Sequence, residues 1–440
     1  MRLAFLSPLP PAATGIADYS AEVLELLAQR HRIDVFHDQD SVDEKRLPPN
    51  VTVLPAGRFL ECHHDHAYDV AVYQMGNGRN HSFLYDRLPR VPGLLVLHDL
   101  VLHHARARMF LESDAVRAYR ASPSDPRRRE AALPELDAYR AEVAHAYPGR
   151  AERLARVQLS TVGRLLPYAY PLFRLPVESS RVTAVHNEYM ACAIRDEVPD
   201  AAVRVVPMPV RRQPVAAEAR ERTRLRYGLS PETVVVGCFG LMTREKQIET
   251  VARAVARAAA HVPQLRLLLV GPIPEGSELE ARLSALGVTG RSTIAGRVPF
   301  DDLPAHMEAA DLVVHLRYPT ARETSAALLR VLAQGRPTVI SDLEHLATIP
   351  DDAVVRADLA DEEGAVTRAI LRLAETARQR ERLGRAARAY AEREHSPAAC
   401  LSAYEEALEA ARARPDPEPH DWPRHWPRAD PLPAVGAGED

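Results

Sequence analysis

Residues 312–342 read LVVHLRYPTARETSAALLRVLAQGRPTVISD. Leu312 to Leu316 is a short apolar run suited to a buried strand. A polar turn follows, carrying Arg317, Arg322 and Glu323. Apolar residues then recur at helical spacing from about Thr324 to Gln334, Gly335 ends the helix, and Pro337 to Ile340 forms a second strand. Thr324 and Ser325 fall where the helix begins, where hydroxyls and unpaired backbone N–H groups can meet an anion. A strand ending in a charged turn at a helix start is how an open α/β sheet presents a ligand. From this stretch alone, a capped helix with solvated charges reads equally well.

The same alternation extends outward. Before the stretch come a strand in VVVGCFG, a helix from Lys246 to Ala260 and a strand from Leu265 to Val270. A helix from Glu278 to Leu286, a short strand from Ser292 to Ile294 and a helix from Asp302 to Ala309 complete the approach. Helices follow it at Ala365–Ala374, Arg378–Arg393 and Pro397–Arg412. Toward the N-terminus, strands are expected at Arg2–Leu6, Ile33–Phe36, Val51–Leu54, Asp69–Tyr73, Leu94–His98, Arg181–Val185 and Val203–Val206. An amphipathic helix runs from Ala17 to about Arg30. Strands alternating with helices give βαβ units and mostly parallel sheets. Residues 104–180 are instead helical and Arg-rich, broken by SPSDPRRRE, where Arg127, Arg128 and Arg129 read as a solvated loop or an acceptor or lipid-surface contact.

The expected organisation is an α/β domain over 1–212 with a helical insert at 104–180, a second α/β domain over 213–396, a helix over 397–414 and a Pro-rich tail over 415–440. That tail holds Trp422 and Trp426 and reads as disordered or, through the two tryptophans, as docked on the body.

The 440 residues suffice for two or three domains. A hydrophobic content of 46% with 26% charge is ordinary for a soluble globular chain. The net charge of −4 gives no support for a nucleic-acid binder. No apolar run is long enough for a transmembrane helix, and the N-terminal LAFLS is too short for a signal peptide. Cys62, Cys192, Cys238 and Cys400 are scattered and read as reduced thiols in a cytoplasmic protein. Of 56 basic residues only Lys45 and Lys246 are lysine, so each stands out.

Four strand-end turns can carry chemistry. In Thr14-Gly15-Ile16-Ala17-Asp18-Tyr19, Gly15 permits close backbone approach at a helix start; this is not a dinucleotide fingerprint. The turn from Tyr73 to His81 holds Gly76, Asn77 and Gly78 and suits hydroxyl recognition or a plain loop. In Leu97-His98-Asp99, His98 can hydrogen-bond near a reacting hydroxyl. A metal site from His98, His103, His104 and the run Cys62-His63-His64-Asp65-His66 lacks matching distant ligands, and none is expected. In Gly240-Leu241-Met242-Thr243-Arg244-Glu245-Lys246, two cations at a helix start can neutralise a diphosphate or stand solvated, and the rarity of lysine favours the first.

These motifs together resemble the GT-B glycosyltransferases, in particular the retaining, nucleotide-sugar-dependent enzymes of glycosyltransferase family 4. The resemblance covers about residues 1–412. It rests on GIADYS, QMGNGRNHSFLY, PGLLVLHD, FGLMTREK, LLLVGP, AGRVPFDDLPAHMEAADLVVHLR and ETSAALLRVLAQGRPTVISD, in that order.

It implies two Rossmann-like domains facing across a cleft, with a C-terminal helix crossing back to the first. It implies sugar transfer from a nucleotide-diphosphate sugar to an acceptor hydroxyl with retention, by front-face attack and without a metal or other cofactor. On this resemblance Lys246, with Arg244 and Gly240, meets the diphosphate, Thr324 and Ser325 offer N–H groups, and Gly15 lies nearby. Glu323 contacts the sugar and His98 sits beside it. The first domain takes a glycan, glycolipid or small-molecule acceptor, with Asp18, Tyr19, Asn77 and Asp99 as contact candidates and peripheral contact with the inner face of a membrane.

The family's usual Glu-x7-Glu is broken. Counting back from Gly335, the second acid is Arg330; counting forward from Glu323, it is Val331. A GT-B-shaped binding or scaffolding protein without catalysis is the alternative that this loss favours. A phosphorylase using a pyridoxal phosphate lysine has almost no lysine to draw on.

Overall fold

The computed structural model describes residues 1–159 and 165–418, apart from the His66 side chain. The tail expectation for 415–440, with both tryptophans, lies outside the described residues from 419 onward. The chain divides into two units: residues 1–208 with 321–324 and 400 onward, and residues 209–320 with 325–399.

The first unit opens with β1 (Arg2–Leu6), α1 (Gly15–Leu27), β2 (Arg32–His37), β3 (Val51–Pro55), α2 (Phe59–His66) and β4 (Val70–Met75). It continues through α3 (Ser82–Arg87) and β5 (Leu94–Leu97). The insert then supplies α4 (His103–Leu111), α5 (Asp114–Ala121), α6 (Pro126–Ala146), α7 (Ala151–Leu159), α8 (Leu166–Ala169) and α9 (Arg174–Glu178). β6 (Val182–Val185), α10 (Glu188–Glu197) and β7 (Val203–Val205) follow.

All seven strands pair in parallel in the order β3-β2-β1-β4-β5-β6-β7. Strands β4, β5 and β6 are buried along their whole length, which is why their sequences are apolar without alternation apart from Gln74 in β4 and Thr183 in β6. The order reverses at β1, so β1 and β4 flank a switch point. The register sets Leu6 beside Tyr73, Met75 beside Leu97, and Leu97 beside Val185. The turns after β1, β4, β5 and β6 therefore share one sheet edge.

The insert builds its own core from Phe110, Leu111, Val116, Leu136, Tyr139, Val143 and Leu154. The run read as a loop at Arg127–Arg129 is the exposed first turn of α6, because Asp125 caps that helix and Pro126 opens it. Arg106 of α4 is 1% exposed, and its Nε and NH2 bond Glu142 of α6 at 2.8 and 2.5 Å. The Arg106 guanidinium also lies over the rings of Tyr85 and Phe110.

The second unit runs α11 (Ala217–Arg226), β8 (Val234–Phe239), α12 (Ile248–Ala258), β9 (Leu265–Val270), α13 (Leu279–Ala285) and β10 (Ser292–Gly296). It goes on through α14 (Leu303–Ala309), β11 (Leu312–His315), α15 (Ala326–Ala333), β12 (Thr338–Ser341), β13 (Val355–Ala357), α16 (Glu362–Glu375) and α17 (Ala377–Glu394). Its parallel sheet has the order β10-β9-β8-β11-β12-β13, with the switch point between β8 and β11.

Two helices start later than their sequence patterns suggest. The helix expected from Lys246 begins at Ile248, because 244–246 form a 3₁₀ turn and Gln247 is left-handed at φ 53°. The helix expected from Thr324 begins at Ala326, because Ser325 is its extended N-cap and accepts from Leu328 N. Gly335, at φ 71°, ends α15; a Cβ on Gly384 would lie 2.1 Å from its carbonyl oxygen, so α15 and α17 pack in near-backbone contact. The last helix, α18 (Pro397–Ala413), belongs to the first unit from Cys400, where Tyr404, Leu408 and Ala411 are buried.

Candidate functional site

At the first unit's sheet edge, Thr14 caps α1 through Ala17 N at 3.1 Å. Gly15 is exposed, and a Cβ there would meet nothing within 4 Å. Gly76, after β4, is where Ile16 comes close: a Cβ on it would sit 2.2 Å from Ile16 Cδ1. Among the four residues read as acceptor contacts, Asp18 pairs with Arg46 at 3.0 Å. Tyr19 is 1% exposed and its hydroxyl lies 2.6 Å from that of Tyr404. Asn77 donates its N–H to Asp99 Oδ2 at 2.8 Å, and its Oδ1 accepts from Ala105 N at 2.8 Å. Asn77 thus anchors the first turn of α4 and Asp99 anchors Asn77.

His98, just past β5, is buried at the centre of a polar chain. Its Nδ1 lies 3.1 Å from His186 Nε2, and His186 Nδ1 lies 2.8 Å from the Val206 carbonyl. On its other side Nε2 is 2.8 Å from the Gln74 side-chain amide, which reaches Tyr404 OH at 3.3 Å. Tyr19 packs edge-on to both imidazoles. Burial, then the neighbouring His186 and His81, push His98 well below the usual histidine range, so it is neutral.

Proton counting fixes the tautomers. Val206 O takes the Nδ1–H of His186, so His186 Nε2 accepts and His98 Nδ1 donates. His98 Nε2 then carries no proton and needs a donor. The Gln74 amide nitrogen meets it when the amide is turned so, leaving Oε1 to accept from Tyr404 OH. Both ring nitrogens of His98 are committed inside the unit.

The 321–324 segment packs in this unit. Leu100 N donates to Ala321 O at 3.1 Å, and Asn187 Nδ2 donates to Arg322 O and Thr324 Oγ1, each at 3.1 Å. Glu323, half-buried, lies between the two residues that Asn187 holds.

At the second unit's switch point, Gly240 ends β8 at φ 103°, a conformation that disfavours a side chain. Lys246 is 6% exposed and folds back so that its Nζ donates to Phe239 O at 3.2 Å and lies 3.5 Å from His315 Nδ1. Burial, with Lys246 and Arg317, holds His315 well below its usual range, so it accepts from the ammonium. Gln247 Nε2 donates to Tyr318 O at 2.8 Å and Tyr318 N to Glu245 O at 2.9 Å, tying the turn after β8 to the turn after β11. Arg244 is exposed and Ser325 caps α15. The structure thus brings Gly240, Lys246 and the neighbouring turn together in the second unit, and places Gly15, His98, Glu323 and Thr324 in the first. Arg330 lies with its guanidinium 5.0 Å from the centre of the Phe300 ring. Among the described residues no three His, Cys, Asp or Glu side chains converge as a metal site requires.

Sequence reasoning passed over His186, Asn187, His315 and Tyr404. The VTAVHNEY stretch carried a usable signal: a strand ending in His-Asn, with Asn three residues before Met190, is an N-cap pattern at the same edge as His98.

Comparison with known proteins places this geometry. Residues 233–376 match the family described as Glycosyl transferases group 1. Those residues span β8 to α16, most of the second unit, and the chain has the GT-B fold.

The chain is 32% identical over 143 residues to 2-deoxystreptamine glucosyltransferase of Streptomyces kanamyceticus, covering 32% of this chain and 35% of that protein. It is 35% identical over 95 residues to the GDP-mannose-dependent alpha-(1-6)-phosphatidylinositol monomannoside mannosyltransferase of Mycolicibacterium smegmatis, covering 22% and 25%. The match thus spans about a third or less of these relatives' length. HepE of Anabaena, solved in complex with UDP and glucose, superposes with a TM-score of 0.64 at 15% identity over 93% of this chain and all of that one.

Proposed function

We propose that the protein is a retaining hexosyltransferase that moves a sugar from a nucleotide-diphosphate sugar to an acceptor hydroxyl. The observation that carries this reading is the buried Lys246 at the switch point of the second unit, aimed back at Gly240 beside a neutral histidine. An ammonium fixed there, with the exposed Arg244 and the capped start of α15, suits the charge that develops on a leaving diphosphate. Such a site needs preorganised cations and N–H donors more than it needs a general base. Glu323, Thr324 and Ser325 serve the sugar and diphosphate oxygens. The donor is a UDP- or GDP-hexose, the two classes named for the relatives above.

The turns after β1, β4 and β5, with the Arg-rich insert, take the acceptor, whether glycan, glycolipid or small molecule. Asp18, Asn77 and Asp99 shape that edge, and Tyr19 supports it from beneath. All four cysteines are free thiols and no helix among the described residues is long and apolar enough to cross a membrane; the reading carried with these is a cytoplasmic enzyme working at or near the membrane's inner face.

The test is a thermal-shift screen against nucleoside diphosphates, followed by transfer assays with the matching nucleotide sugars. Ligand binding to the native state raises apparent stability by mass action. Turnover that is lost in both Lys246→Ala and Glu323→Ala while circular dichroism is unchanged supports the assignment. Full turnover in both sinks it. Binding of a nucleoside diphosphate with no turnover of any donor by the wild type supports the scaffold reading, which Arg330 favours.

A further inference from the structure

Asn187 stands just past β6, in extended backbone at φ −150° and ψ 156°, and its side chain has two jobs. Its Oδ1 accepts from Met190 N at 2.9 Å and caps α10. Its Nδ2 spends its two hydrogens on Arg322 O and Thr324 Oγ1. The amide can face only one way: turned over, it would set its nitrogen against the Met190 N–H and its oxygen against the Arg322 carbonyl.

We infer that Asn187 is a positioning residue for sugar transfer, which clamps the Arg322–Glu323–Thr324 turn from both sides of Glu323 and aims the Thr324 hydroxyl as a donor. Three observations carry this. Arg322 is left-handed at φ 61°, a conformation costly for a side-chain-bearing residue and one that persists only where its surroundings hold it. Those surroundings are the Asn187 amide on its carbonyl, Leu100 N on the preceding carbonyl of Ala321, and the ring of Tyr189 under its guanidinium. Thr324 Oγ1 accepts from Asn187, so its own hydrogen is left to donate, and an oxygen-rich ligand is a natural taker. Glu323, between the clamped residues, has its backbone fixed although it lies in no regular element.

The inference rests on the transferase reading for what the turn contacts, and its test keeps the two apart. Asn, Asp and Ser cap helices about equally well, so Asn187→Asp and Asn187→Ser retain α10. Neither can donate to both Arg322 O and Thr324 Oγ1. Asp also sets an acceptor against the Arg322 carbonyl and takes up the Thr324 hydroxyl hydrogen. Both variants are expected to melt close to the wild type. Their kcat falls about ten- to a hundredfold, the scale of a loosened reacting geometry, with the Asp form the slower. Amide hydrogen exchange at residues 322–324 speeds up.

Wild-type kcat in both variants overturns the proposal, whatever exchange does. A loss of kcat with unchanged exchange at 322–324 also overturns it, because the effect would then not run through the turn. If the wild type transfers no sugar from any donor, the transferase reading fails, and unchanged exchange in the variants then overturns the clamp while faster exchange supports it.

Discussion

The hydroxyls of Tyr19 and Tyr404 meet at 2.6 Å across 385 positions of sequence, both fully within the core of the first unit. The Gln74 amide, which also holds His98, reaches the Tyr404 hydroxyl. Tyr404→Phe therefore leaves two buried partners short of a bond, and Tyr19→Phe only one. The expected loss is about 2–3 kcal/mol for the first and about 1 kcal/mol for the second. The double variant should lose less than the sum of the two, which urea denaturation of all three proteins measures directly.

Acid should weaken this protein well before ordinary carboxylates titrate. Burial pushes His81 and His103 down to about 4, and His98 and His315 well below their usual range. In the unfolded chain each titrates near 6.5. As pH falls below about 6.5 the unfolded state takes up protons that the folded state refuses, so stability is full above that point and declines toward the folded values. Each histidine contributes up to about 1.4 kcal/mol per pH unit. Urea midpoints at pH 7.5 and 5.5 should differ clearly; a flat profile contradicts the neutral assignment of His98.

The Arg106–Glu142 pair pins α4 to α6 in the insert. Glu142→Ala strands a guanidinium between the Tyr85 and Phe110 rings and is expected to cost about 3–5 kcal/mol. Replacing both, as Arg106→Met with Glu142→Leu, should restore most of that, because two apolar chains of similar volume leave no charge uncompensated. Chemical denaturation of the single and double variants distinguishes a stability pair from an acceptor contact, which would lose activity in both.

Lys246→Met keeps the buried stem and removes the charge. The nucleoside diphosphate should then no longer raise the melting temperature, and kcat/KM for the nucleotide sugar should fall by about a hundredfold or more. A wild-type thermal shift in this variant would move the diphosphate elsewhere.

Much of the architecture was legible in advance. The parallel sheets follow from continuous apolar runs such as LLLV and LVVH, and Gly240 and Gly335 announced the turns that they occupy at positive φ. β13 escaped notice because VRA is a short edge strand with half-buried residues. Helix starts fall later where local geometry outbids helical propensity: Ser325 caps α15 and leaves Thr324 outside it, and the left-handed Gln247 separates Lys246 from α12. Site chemistry was legible where one residue type stood out, as Lys246 does. It was hidden where function depends on partners far off in sequence. Nothing near Tyr19 betrays Tyr404, and nothing in ETS betrays Asn187.

The placement of α18 has a consequence for how the chain is made. Tyr19 and Gln74 leave the ribosome early, but the residue that completes them lies more than three hundred positions later. At about 5–20 residues per second, the sheet that begins at Arg2 waits roughly 20–80 s for its final helix. During that interval the face of α1 and the end of β4 are open, and the nascent first unit is a natural client for chaperones. Its maturation waits on the synthesis of α18 rather than on the folding of its own sheet.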